Sequence, residues 1–327
     1  METSRWPAAP RNVLVLGGTG FLGRSLCERL IRAGGGGCRV VVPTRRIDHG
    51  RRIQFLPTVE VIEADLHDDA TLARLVRRGR DAVVNLVAVL HGSEATLDQV
   101  HVALPRRLAT ACRAAGVPRI VHVSAIGAAP DAPSRYLRSK GAGEAALRAV
   151  APAATILRPS VMFGADDKLT NLFAGLQAVF PLLPLAGASA RFQPVWVEDV
   201  ASAIVAALER PSTAGETFEC AGPQEMTLRQ IAETSGGLAG RASPVWPLPG
   251  ALARLQALLM ELAPGDPLMS RDNLDSMKVP NVPSGQRPGL DALGIAPLSL
   301  SAVGPGYLGH RGPRSHLDAF RKLARRG

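Results

Sequence analysis

The chain has 327 residues, 46% of them apolar and only 4% aromatic, with a formal net charge of +10. That length supports one large core and a smaller second lobe, and scarce aromatics suit an α/β protein better than a β-sandwich. Arginine dominates the positive charge, and no zinc-finger or RNA-binding signature accompanies it. Nucleic acid is therefore not an expected partner, while anionic lipid and acidic protein surfaces stay open.

Residues 1–10 carry Glu2, Arg5 and two prolines, and read as neither a signal peptide nor a lipid-attachment motif. The first strand is expected at Asn12–Leu16, followed by a glycine turn and a helix on which Phe21, Leu22, Leu26, Leu30 and Ile31 recur at helical spacing. Further strands are predicted at 39–43, Val59–Glu63 and Ala82–Asn85. Leu72, Leu75 and Val76 mark a helix behind Asp68 and Asp69. Val100, Leu104, Leu108, Ala111 and Cys112 line a longer helix closed by Gly116 and Pro118. A strand at 119–124, a helix at 134–150 and a strand at 155–157 come next. Strands and helices alternating in this way build βαβ units and a parallel sheet.

Beyond Pro159 the alternation weakens. Val195, Trp196 and Val197 lead into a helix over 199–208, residues 216–220 suit another strand, Thr227 is placed as a helix N-cap, and short apolar helices are expected within 251–262. The longest uncharged stretch, residues 169–190, is interrupted by Gly175, Gln177, Pro181, Pro184 and Gly187, so it is not expected to span a membrane. Cys27, Cys38, Cys112 and Cys220 lack metal-ligand spacing and are expected to be small buried hydrophobes in a reducing compartment, with no metal site.

Gly17-Gly18-Thr19-Gly20-Phe21-Leu22-Gly23 lies where the first strand turns into the first helix. Glycines there allow a tight turn and a close backbone approach to a pyrophosphate, and the opening of the helix presents N–H groups to the phosphates. The fold class expected is α/β, a Rossmann-type doubly wound parallel sheet with a smaller C-terminal α-rich lobe. Residues 1–160 would form the NAD(P)-binding domain and 161–327 a substrate or docking region, with 190–220 returning to the sheet. No carboxylate ends the second strand, where it would bond the ribose of NAD; Arg45 and Arg46 stand there instead. They suit a 2′-phosphate, which favours NADP(H) over NAD(H), although solvated loop arginines would look the same. Asp65, with Leu66 beside it, is placed to meet the adenine or to start a helix, and Val87 completes the cofactor-binding set.

Tyr136 and Lys140 stand one helical turn apart, and Ser124 ends the fifth strand. A nearby ammonium, with the positive nicotinamide of an oxidised cofactor, favours the phenolate, so both are expected to lower the pKa of Tyr136, which would exchange a proton with a substrate oxygen held by Ser124. Tyr136 and Lys140 are also expected to contact the cofactor.

Together with Leu157-Arg158-Pro159-Ser160 and Arg191-Phe192-Gln193-Pro194-Val195, these motifs resemble the extended short-chain dehydrogenase/reductase superfamily. The segments Val84-Asn85-Leu86-Val87-Ala88-Val89-Leu90 and Val121-His122-Val123-Ser124 are similar to an atypical branch. That branch includes an accessory subunit of respiratory complex I and a coenzyme Q biosynthesis protein. The resemblance implies a firmly bound NADP(H) and a structural or assembly role in a membrane-associated respiratory or quinone-related complex. Its alternative is an active NADP(H)-dependent reductase, dehydrogenase or nucleotide-sugar epimerase using Ser124, Tyr136 and Lys140. His101 stands where the superfamily's enzymes commonly carry a relay asparagine, and imidazole there serves either a relay or a structural role.

The apolar residues Ala125, Ile126, Val161 and Met162 suit an apolar, lipid-like or quinone-like substrate better than a sugar nucleotide. Leu317, Phe320 and Leu323 or Ala324 share one side of a basic C-terminal helix that would lie on an anionic membrane or pack on its own domain. The expected location is cytoplasmic, peripheral on the inner face of the membrane.

Overall fold

The computed structural model describes residues 10–77, 79–262 and 269–309. The basic terminal segment, with Leu317, Phe320 and Leu323, lies outside the described residues.

β1 (Asn12–Leu16) runs through a glycine turn into α1 (Phe21–Ala33), and β2 (Arg39–Thr44) and β3 (Val59–Glu63) follow. Next come α2 (Asp69–Leu75), β4 (Ala82–Asn85), α3 (Glu94–Asp98), a single π-helical turn at Gln99–Ala103 and α4 (Leu104–Ala115). β5 (Arg119–Val123), α5 (Arg135–Val150) and β6 (Thr155–Pro159) complete the series. The chain then leaves for α6 (Leu169–Val179), returns for α7 (Val197–Glu209) and the strand Thr217–Cys220, and departs again for α8 (Leu228–Leu238) and α9 (Gly250–Leu262).

Two compact units result, each discontinuous in sequence. The first comprises Met1–Pro159, Val197–Cys220 and Pro283–Ala296; the second comprises Ser160–Trp196, Ala221–Val282 and Pro297–Gly327.

The first unit holds a seven-stranded sheet in the order Thr217–Cys220, β6, β5, β4, β1, β2, β3. Every neighbouring pair is parallel. Val13, Leu14, Val15 and Leu16 are fully buried, as a central strand covered on both faces requires. One layer of core joins Leu14, Leu16 and Val83 to Leu72, Leu104, Leu108 and Leu147. α1 and α7 lie side by side, tied by an ion pair of 3.7 Å between Arg29 and Glu198. Strand order reverses between β1 and β4, and a crevice outside the carboxyl ends of strands forms at such a switch point.

The second unit packs Phe163, Phe173, Leu183, Leu185, Leu228, Ile231 and Leu300 into its own core. Its strands are two or three residues long and pair two by two.

Three local expectations need correction. The helix expected to run unbroken through Val100 and Leu104 is α3 and α4 joined by the π-helical turn. The helix expected from Asp199 starts two residues earlier, at Val197, and residues 251–262 belong to one helix rather than several short ones. All four cysteines are buried and free. Among the described residues, no helix is long and apolar enough to cross a membrane, and no cluster of ligands could hold a metal ion.

Candidate active site

The crevice at the β1–β4 switch point is shaped by the glycine turn. Gly17 has a φ of +78°, and a Cβ there would meet the backbone of Leu86 and Val87 at 3.1 Å. At Gly18 a Cβ would press on both methyls of Val42, at 2.8 and 2.9 Å. At Gly23 it would fall 2.4 Å from the Cα of Gly18 and 2.5 Å from the carbonyl oxygen of Gly17. The lack of these side chains seats α1 directly against the turn. Gly20 is the N-cap of α1 and brings no side-chain cap, and no acidic residue occupies the first turn. The N–H groups of Phe21, Leu22 and Gly23, to which no preceding helical carbonyl is available, therefore open toward the crevice beside Thr19.

The other expected cofactor residues come from the ends of neighbouring strands. Arg45 and Arg46 follow β2 and are exposed, while the buried Thr44 hydroxyl bonds Arg46 through both its backbone N–H and carbonyl. The nearest acid in the chain, Asp48, is engaged by Arg51 at 2.8 Å. Asp65 accepts a hydrogen bond from the His67 N–H at 2.9 Å and does not cap a helix; Asp68 caps α2 by accepting from Thr71. Leu66 is half-buried against the core, and Val87 donates its N–H to Asn85 Oδ1 at 3.2 Å. Arg107 on α4, which sequence reasoning missed, donates to the Leu66 and His67 carbonyls at 3.1 and 2.9 Å and so holds the loop after β3. Its contacts lie about 40 residues away in sequence, so no local motif marks it.

Ser124 follows β5, and its N–H bonds the Leu157 carbonyl at 2.7 Å. Among the described residues, its buried Oγ has no hydrogen-bond partner. A buried hydroxyl left unsatisfied costs about 1–3 kcal/mol, so it calls for a partner from outside the chain. Lys140, 1% exposed, donates Nζ to the Val123 carbonyl at 2.7 Å, which brings its ammonium to the residue beside Ser124. Burial lowers the Lys140 pKa to about 8, against the opposing pull of Glu144. Glu144 is itself held by Arg158 at 2.6 and 2.9 Å.

Tyr136 packs with Ala125, Ala132 and Leu137, and burial pushes its phenol up to about 12. Loss of water around the phenolate sets this direction, opposite to the lowering expected from Lys140 together with an oxidised nicotinamide.

His101 sits on the π-helical turn with its ring edge-on to Tyr136, centroids 5.6 Å apart. Its Nε2 accepts from the Val89 N–H at 3.1 Å, so Nδ1 carries the proton and donates to Ser139 Oγ at 2.8 Å. Ser139 in turn donates to the Tyr136 carbonyl at 2.8 Å. Burial and the charge of Lys140 lower the His101 pKa to about 3, so the ring is neutral. Of the two uses open to His101, the geometry is that of a structural link. A second buried histidine, His122 on β5, receives a hydrogen bond at Nδ1 from Asn85 Nδ2 at 3.1 Å.

A glycine-lined phosphate turn at the switch point of a seven-stranded parallel sheet is matched by the model of the NAD dependent epimerase/dehydratase family over residues 13–221. The chain belongs to that family. Its relatives include the mouse protein "NADH dehydrogenase [ubiquinone] 1 alpha subcomplex subunit 9, mitochondrial", 33% identical over 293 residues, which are 88% of this chain and 76% of that one. A ceramide reductase of Caulobacter vibrioides is 34% identical over 200 residues, covering 61% of each chain. Among solved structures, the family's fold recurs in a dTDP-glucose 4,6-dehydratase from Streptomyces venezuelae, with a TM-score of 0.72, 22% identity and coverage of 93% and 98%. It recurs also in an NADPH-dependent quinone oxidoreductase from Escherichia coli, with a TM-score of 0.73, 18% identity and coverage of 90% and 99%.

Proposed function

We propose that this family member holds NADP(H) in preference to NAD(H) and acts as an accessory or assembly partner of a respiratory or quinone-related complex at a membrane face. The observation that carries this reading is the contrast within one site. The phosphate turn is complete, whereas the position expected to relay protons holds a histidine with both ring nitrogens committed. The relatives named as mitochondrial NADH dehydrogenase subunits support the choice of complex.

The residues fit a dinucleotide. N–H groups at the start of α1, within Gly17, Gly18, Thr19, Gly20, Phe21, Leu22 and Gly23, would hold its diphosphate. Arg45 and Arg46 would pair with a 2′-phosphate, Asp65 and Leu66 would face the adenine, and Val87, Tyr136 and Lys140 would line the nicotinamide side. A bound nicotinamide supplies hydride chemistry. The chain's own part in any turnover would be to hold a substrate oxygen at Ser124 and to move a proton at the Tyr136 hydroxyl.

One observation favours the second reading, an active reductase, dehydrogenase or epimerase. The unpartnered Ser124 Oγ is poised for a ligand, and a reductase of a lipid is among the relatives. An apolar substrate would then be expected.

The test begins with the nucleotide that co-purifies. NADP(H) that keeps its redox state when quinones, lipid ketones and sugar nucleotides are offered is the expected result. Turnover abolished by Tyr136→Phe would establish the enzyme instead. Arg45→Ala combined with Arg46→Ala should weaken NADPH by about tenfold or more relative to NADH, and an equal loss for both would refute the 2′-phosphate assignment.

A further inference from the structure

α9 packs in the reverse of the usual sense. An amphipathic surface helix normally turns its large apolar side chains toward the core. In α9 the buried residues are Ala253 and Ala257, while Leu252, Leu255, Leu258, Leu259 and Leu262 are 36–75% exposed. At about 100° per residue, Leu252, Leu255, Leu259 and Leu262 fall within an arc of roughly 80° opposite the two alanines. The same unit exposes Trp246, Val179, Phe180 and Leu182. Trp246 lies opposite Pro184 in a short parallel pair, and Gln256 of α9 donates to the Pro184 carbonyl at 3.4 Å. Ser243 bonds the Phe180 carbonyl at 2.7 Å, which ties the end of α6 to the same region.

The charges beside this face are cationic. Arg254 stands on the flank of α9, and Arg254, Arg229 and Lys278 line a cavity of about 640 Å³ walled by Pro247, Leu248 and Leu274. Arg241 donates to the Ala178 carbonyl at 2.7 Å, next to Val179. Glu261 pairs with Arg271 at 2.9 Å, and Asp275 pairs with Lys278 at 2.6 Å. Among the described residues, no carboxylate pairs with Arg229, Arg241 or Arg254.

We propose that the leucine face of α9, with Trp246 and Phe180, seats this protein on the surface of a bilayer containing anionic lipid. Leucines and aromatic rings enter the acyl boundary while the arginines meet the headgroups. A helix of 13 residues, about 20 Å long, is too short to cross a hydrocarbon core of about 30 Å, so it lies in the interface. A second copy of the chain is the poorer occupant: leucines at 252, 255, 259 and 262 cover fewer than two heptads, against the three or four that a stable coiled coil needs. This inference gives a surface to the membrane-face placement proposed above and rests on that reading for location alone.

The test uses the full chain, with and without vesicles of phosphatidylcholine containing about one-third phosphatidylglycerol, read by co-sedimentation. Leu255→Gln with Leu259→Gln removes two exposed side chains and keeps helix propensity, so an unchanged Tm verifies the fold. Binding to the anionic vesicles, weakened about tenfold or more in this double variant and several-fold by Arg254→Gln or added salt, is expected. Absence of binding to any vesicle would overturn the proposal. Equal binding by wild type and double variant would overturn it as well, by assigning the contact to another segment, and so would a dimer that only the double variant dissolves. Nucleotide content is measured on the same samples. Its loss with vesicle binding intact would defeat the cofactor reading and leave this one standing, and the converse result would do the opposite.

Discussion

Gly23 shows how a residue without a side chain can hold a turn against a helix. Its missing Cβ lets Gly18 and the Gly17 carbonyl occupy the space where that atom would be. Both neighbours are backbone and cannot rotate away, so Gly23→Ala should cost about 1–3 kcal/mol and release the co-purifying nucleotide. A variant with wild-type Tm and bound nucleotide would show that the turn can relax. Ser124 carries a prediction of the opposite sign. Its Oγ is buried without a partner, so Ser124→Ala should leave thermal stability unchanged or raise it by up to about 1 kcal/mol. A loss of more than about 2 kcal/mol would mean that the hydroxyl is bonded within the fold. The glycines could be read from the sequence because their steric demand is local. The protonation behaviour of Tyr136 and Lys140 could not, since it depends on how many atoms from other elements exclude water around them.

The π-helical turn between α3 and α4 is the element on which the site is organised differently from its expected form. It aims the His101 carbonyl at α5, where a Cβ on Gly143 would clash at 1.9 Å, and it places the His101 ring between Val89 and Ser139. Because the folded pKa of about 3 lies below the usual 6.5, the unfolded chain binds the proton more readily. The stability that this neutral ring contributes is complete above about pH 6.5 and is lost as pH falls toward 3. His122, held well below its ordinary value by burial, then by Lys140 and His101, acts in the same direction. Urea denaturation between about pH 7 and pH 5 should therefore show falling stability, with a slope in wild type that His101→Asn reduces by up to about 1.4 kcal/mol per pH unit. An identical slope in the variant would mean that His101 is not the titrating group. Apolar spacing predicted a helix through Val100 and Leu104, and it did so correctly in kind. The added residue of the π turn leaves no mark in that spacing, which continues at helical period across it.

At the scale of the whole chain, the unit that holds the seven-stranded sheet is assembled from three separated segments. The strand Thr217–Cys220 pairs in parallel with β6, and α7 contributes Val200, Ala201, Ala203, Ile204 and Ala207 as fully buried residues. Buried Arg119 at the start of β5 donates to carbonyls of Ala207 and Arg210 and to Thr213 Oγ1. A fragment ending at residue 160 would leave β6 as an open edge, uncover the face of α1 that meets α7, and strand the Arg119 guanidinium. Such a fragment should aggregate or show no cooperative unfolding, whereas a soluble fragment with a sharp thermal transition would show that the first segment folds alone. The sequence motifs end before these closing contacts. Nothing in the spacing of Pro283–Ala296 marks its return to this unit, where Ser284 meets Glu219 at 2.6 Å.

The sequence alone determined the parallel α/β architecture and the place of the glycine turn between β1 and α1. Each of these follows from short-range rules: a period of two or about 3.6 residues, a glycine where a Cβ cannot fit, a helix opening beside a strand. Only the tertiary structure decided that Lys140 bonds the Val123 carbonyl, that His101 is locked and neutral, and that α9 turns its leucines outward. Those outcomes depend on desolvation and on which surfaces distant segments cover, and both are properties of the packed chain.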